Sequence, residues 1–138
     1  MMKNKVKIIE DKKAFIISIT IFIVLSISIK NYYWFYPPPP IYSITSKEAI
    51  ERLEDSENGF VKIATDENYD WYLSVDFNIM EYYVYHPLML KGWAYKGMSD
   101  TTKGYERFHS KDGVTLKLEV YNWVKGYQFL KIYHGVDF

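Results

Sequence analysis

Val114-Thr115-Leu116-Lys117-Leu118-Glu119-Val120-Tyr121 decides the fold class. Val114, Leu116, Leu118 and Val120 occupy alternate positions, and the residues between them are polar or amphipathic. A period of two is the pattern of a strand with one face in a core. Asp112-Gly113 precedes it, a pair suited to a tight turn because both residues tolerate positive φ. That turn links the strand back to a second one at Tyr105–Ser110. Lys125-Gly126 follows it and turns into Gln128–His134, where Leu130 and Ile132 are expected to face the core.

Working towards the N-terminus, Trp93–Gly97 reads as a further strand. Before it, Asp76 is placed to cap a helix with Phe77, Met80 and Val84 on one side, which Pro87 is expected to interrupt and Gly92 to end. Tyr69, Trp71, Leu73 and Val75 alternate with Asp70, Tyr72 and Ser74, and Thr65–Asn68 join this strand to Phe60–Ala64 as a hairpin. Thr45-Ser46-Lys47-Glu48 fits a capping box, with Ala49, Ile50 and Leu53 as the apolar stripe behind it. Asn58-Gly59 is expected to stop that helix. Two helices with a mostly antiparallel sheet give an α+β domain over 41–138.

The rest of the chain is of another kind. Residues 14–29, Ala-Phe-Ile-Ile-Ser-Ile-Thr-Ile-Phe-Ile-Val-Leu-Ser-Ile-Ser-Ile, are sixteen positions without a charge. As a helix they cover roughly 24 Å, short of a hydrocarbon core of about 30 Å. The flank extends them: Lys30 can snorkel, and Tyr32-Tyr33-Trp34-Phe35-Tyr36 suits the headgroup boundary. Residues 14–36 are therefore expected to anchor the chain in the lipid bilayer. Lys3, Lys5, Lys7, Lys12 and Lys13 precede the run, so the basic tip, 1–13, is expected in the cytoplasm and the domain outside the cell membrane. Cleavage as a signal peptide after about Ser28 is the rival reading, since Ser26 and Ser28 are small. Pro37–Pro40 is expected to form a stiff polyproline spacer of roughly 12 Å, at about 3.1 Å per residue.

Residues 41–138 hold eleven Lys or Arg and fifteen Asp or Glu. A mildly acidic external domain is a poor nucleic-acid binder. The absence of Cys means that no disulfide stabilises it. In composition the chain resembles small membrane-tethered bacterial proteins, a likeness that carries over no functional residue.

No motif in the domain points to a cofactor, a metal or a catalytic group. His86, His109 and His134 stand alone in their segments, without the neighbour that a metal site needs. Asp66-Glu67-Asn68-Tyr69-Asp70 opens like a calcium loop, but Trp71 stands where glycine is required, and Asp and Asn also suit a hairpin turn. Glu51, Glu54, Asp55 and Glu57 form the solvated side of an amphipathic helix.

Aromatics are the unusual feature: nineteen of residues 41–138 are Phe, Trp or Tyr, and eleven are Tyr. Tyr72, Tyr121 and Trp123, with Tyr82, Tyr83 and Tyr85 on the second helix, are the expected interaction surface. The reading is a membrane-anchored binding module whose partner is another membrane or exported protein. The alternatives are a small hydrolase or metal-dependent enzyme that assembles His86, His109 or His134 with distant carboxylates, and a secreted ligand-binding domain.

Overall fold

The computed structural model describes residues 2–30 and 36–138. The aromatic run at 32–35 lies outside the described residues. The chain divides into two units, Met1–Phe35 and Tyr36–Phe138.

Helix α1 runs Met2–Lys30. Its stretch Val6–Ile29, 24 residues, is long and apolar enough to cross a membrane, covering about 36 Å. The hydroxyls of Ser18, Thr20 and Ser26 donate to the carbonyls of Ala14, Ile16 and Phe22, at 2.9, 2.9 and 2.8 Å. These three hydroxyls are thus satisfied inside their own helix, and residues 14–29 carry no charge on any side.

The second unit is α+β. Helix α2 (Ser46–Glu54) starts where the Thr45 hydroxyl accepts the Glu48 amide at 3.2 Å. The reciprocal half of the capping box is missing, because the Glu48 carboxylate pairs with Arg52 at 2.6 Å. The helix ends at Asp55, before Asn58-Gly59; Gly59, at φ 70°, instead turns the chain into the sheet. Strands β1 (Phe60–Thr65) and β2 (Tyr69–Ser74) form the expected hairpin. Strands β3 (Ala94–Thr101), β4 (Gly104–Lys111), β5 (Val114–Asn122) and β6 (Gln128–Tyr133) follow as a meander. All neighbours are antiparallel, in the order β1-β2-β6-β5-β4-β3. Both edge strands carry a bulge, at Lys62/Ala64 in β1 and Tyr95/Gly97 in β3. Such kinks blunt an edge against pairing with another chain.

Residues 77–90 are helical throughout, and Pro87 does not interrupt them. Asp76 caps the start, accepting the Ile79 amide at 2.9 Å. The helix begins as Phe77–Met80, widens into a π-turn over Glu81–Tyr85 and returns to α over His86–Leu90. Pro87 sits in the first turn of that last segment, the position that tolerates its missing N–H. Phe77, expected on the buried side, is exposed.

Both faces of the sheet are covered. The helix 77–90 lays Met80, Val84, Tyr85 and Leu88 on Tyr105, Leu116, Leu118, Val120, Leu130 and Ile132. Helix α2 and Ile44 lie on the opposite face, against Ile63, Trp71, Leu73 and Phe129. Register fixes the sides: Tyr72, Leu130, Val120 and Tyr105 are cross-strand neighbours, and so are Leu73, Phe129, Tyr121 and Gly104. Leu116, Leu118 and Val120 are buried as expected, whereas Val114, at the hairpin end of the same row, is 59% exposed.

Candidate functional site

Tyr105, Arg107 and His109 are alternate residues of β4. Asp112 (φ 52°) and Gly113 (φ 79°) form the two-residue turn that pairs Lys111 with Val114. Counting back, His109 faces Leu116, Arg107 faces Leu118 and Tyr105 faces Val120. A cation and an imidazole are therefore inserted into the row that forms the core, and all three residues are buried.

The π-turn lies over them. The Arg107 guanidinium carbon sits 3.9 Å from the Tyr85 ring centre and 4.6 Å from that of Tyr95 on β3. Stacking on aromatic faces suits a weakly hydrated, planar cation. Arg107 also meets the Glu81 carboxylate at 3.5 Å, and its Nε–H donates to His109 Nε2 at 3.2 Å. Tyr85 and Tyr105 share a hydrogen bond of 2.9 Å between their hydroxyls. π-turns inside helices are frequent at functional sites, and this one supplies both Glu81 and Tyr85.

The electrostatics follow from burial. Burial raises the hydroxyl pKa of Tyr85 and of Tyr105, so both stay protonated. Burial also lowers His109, and the Arg107 charge acts in the same direction, against the Trp93 backbone and Glu81. Because Nε2 accepts from Arg107, a neutral His109 carries its proton on Nδ1. The cluster holds a permanent cation beside a base whose neutral form burial favours.

The other histidines stand elsewhere. His86 is exposed on the helix 77–90. His134 meets Asp70 Oδ1 at 3.2 Å. The same oxygen takes the Thr65 hydroxyl at 2.8 Å and the Lys62 ammonium at 2.7 Å, so Asp70 ties the ends of β1, β2 and β6 together. Its carboxyl pKa lies below the usual value: burial alone would raise it, and these three partners outweigh burial. Among the described residues no three His, Asp or Glu side chains gather as a metal site would require. Asp66 is a turn residue, accepting the Asn68 and Tyr69 amides at 3.0 and 2.8 Å and the Trp71 indole at 3.1 Å.

Of the aromatics expected at the surface, only Tyr82 is largely exposed, at 68%. Tyr85 is fully buried over Arg107, a correction caused by the wider π-turn, which brings it inward beside Val84. Tyr72 and Tyr83 stack on Phe60 at 5.2 and 5.7 Å. Tyr121 lies against Trp71 at 5.6 Å and donates its hydroxyl to Glu119 at 2.7 Å. Burial and that carboxylate push the Tyr121 hydroxyl up to about 12. Trp123 packs edge-on with Phe129 at 5.1 Å and with Tyr36 at 5.9 Å.

The proline run also belongs to the domain. Pro39 is buried, and the Pro37 carbonyl accepts from the Trp123 indole and the Ser46 hydroxyl, each at 3.0 Å. Pro37–Pro40 is docked on the fold, so it does not act as a free spacer. A cleft of about 760 Å³ lies between this run and the turn at 101–104, with Tyr121 and Trp123 in its wall.

Other exposed apolar side chains on this side were not singled out by the sequence. Met89 and Leu90 lie on the outer side of the helix 77–90, and Tyr95 and Met98 on β3. Tyr95 and Met98 share their face of the sheet with His109 and Arg107, their cross-strand partners. Comparison with protein-family models, curated proteins and solved structures finds no match to this chain.

Proposed function

We propose that the chain is a single-pass membrane protein whose domain is a non-catalytic interaction module outside the membrane. The partner, another membrane or exported protein, would meet the outer face of the helix 77–90 and the adjoining β3. The observation that carries this reading is the exposure of large apolar side chains there: Leu90 at 76% and Tyr82 at 68%, with Met89, Tyr95 and Met98 about half exposed. Contiguous exposed apolar surface marks interaction sites. Methionine adapts to an irregular partner surface, and tyrosine is enriched among the residues that dominate binding energy. The anchor reading is supported by α1 and by the lysines before residue 14.

Two measurements test the proposal. Protease added to intact cells should digest the domain and spare residues 1–13; a mature chain beginning near Ile29 in the medium would refute the anchor. Capture of the partner from detergent-solubilised membranes should fall at least about tenfold with Leu90→Asp or Tyr82→Ala, a loss of about 1.4 kcal/mol. Both positions are mostly exposed, so the melting temperature should stay at the parent value. Undiminished capture by both variants would remove this face from consideration.

A further inference from the structure

We propose that His109 is a proton-sensitive latch: neutral, it holds Arg107 between the helix 77–90 and β3, and on protonation it releases that hold. The geometry of β4 supplies this latch whatever partner the domain meets. His109 Nε2 is the acceptor for Arg107 Nε–H at 3.2 Å. A proton from solvent can bind only on that nitrogen, because Nδ1 already carries one. Once bound, the acceptor is gone and a second cation stands against the guanidinium. What Arg107 joins is then loosened: Glu81 and Tyr85 on the helix and Tyr95 on β3.

The surroundings offer little relief. From β4 itself come Arg107 and the Tyr105 hydroxyl, which is bonded to Tyr85. From the helix come Glu81, 3.5 Å from Arg107, and the Tyr85 ring, 6.4 Å from the imidazole. From β3 comes the Tyr95 ring, edge-on at 5.9 Å. From β5 comes Leu116, which is apolar. Among the described residues the only carboxylate in the cluster, Glu81, is thus engaged with Arg107. Burial therefore favours the neutral ring, and the unfolded chain, with an ordinary histidine value of about 6.5, takes up the proton first. The stabilisation is complete above about pH 6.5 and is lost as pH falls from there towards the lower value in the folded state.

The test is the unfolding of the full chain in detergent micelles between about pH 5 and 7.5. Below about pH 6.5 the unfolding equilibrium constant should rise by up to tenfold per pH unit, the signature of one proton. His109→Gln keeps an acceptor for Arg107 and cannot be protonated, so that component of the slope should vanish. His86→Gln and His134→Gln should retain it. An unchanged slope in His109→Gln would overturn the proposal. Should that variant not fold, nitrogen chemical shifts of the wild-type imidazoles decide. His109 should show an unprotonated Nε2 at pH 7 and titrate below 6.5, with the Tyr85 and Tyr95 amide signals moving at the same midpoint. A His109 that titrates at or above 6.5 in the folded chain, or without moving those signals, would overturn it equally.

Discussion

Phe129→Ala is expected to destabilise the domain by about 3–5 kcal/mol, the range for removing a buried aromatic ring. Phe129 is fully buried, on the face of β6 opposite Leu130, in the cluster with Ala49, Leu53, Trp71 and Leu73. Its ring meets Trp123 edge-on at 5.1 Å. Truncation would leave a cavity floored by the sheet and roofed by α2, neither of which can collapse freely. Denaturant unfolding of the full chain in micelles, followed by tryptophan fluorescence, measures the loss. A change below about 1 kcal/mol, less than such a cavity costs, would mean that α2 does not cover this face.

Gly104→Ala is the second large effect. A Cβ there would fall on the Val120 carbonyl oxygen, 2.9 Å from its carbon and 3.1 Å from the Asn122 nitrogen. These are backbone atoms of β5 and cannot swing aside. The ends of β4 and β5 would have to part, where Asn122 N–H now donates to the Lys103 carbonyl at 2.8 Å. The expected cost is about 3 kcal/mol, the upper part of the range for overpacking. Gly113→Ala is the control: its Cβ would meet open space, and only the φ of 79° opposes it, a penalty of about 1–2 kcal/mol. Equal melting temperatures for the two variants would refute close strand approach at Gly104.

Much of the candidate site could be read from the sequence. The Asp112-Gly113 turn and the β5 alternation together align Tyr105, Arg107 and His109 with Val120, Leu118 and Leu116. That register places a cation and an imidazole in the core row. What periodicity could not supply was the group above them. A count of 3.6 residues per turn sends Met80 and Val84 inward and leaves Tyr85 on the flank; the π-turn widens the inward arc to include it. The approach of Glu81 and Tyr95 to Arg107 joins residues from three separate elements, and local pattern does not encode it.

By itself the sequence determined the elements whose causes are local. These are the apolar helix α1, the caps at Thr45 and Asp76, the 65–68 turn, the strand alternation and the α+β class. Local causes suffice for them because a cap, a tight turn or a repeat depends only on residues a few positions apart. The tertiary structure alone decided which faces are dry. Alternation separates Tyr72 from Leu73 and Leu130 from Phe129 without saying what lies over either side. Here α2 covers one side and the helix 77–90 the other, so most of the expected surface aromatics became packing. The proline run is stiff by composition, yet its place against Trp123, 86 residues later in the chain, depends on where the end of β5 comes to lie. Burial depends on contacts between distant segments, and those exist only once the chain has folded.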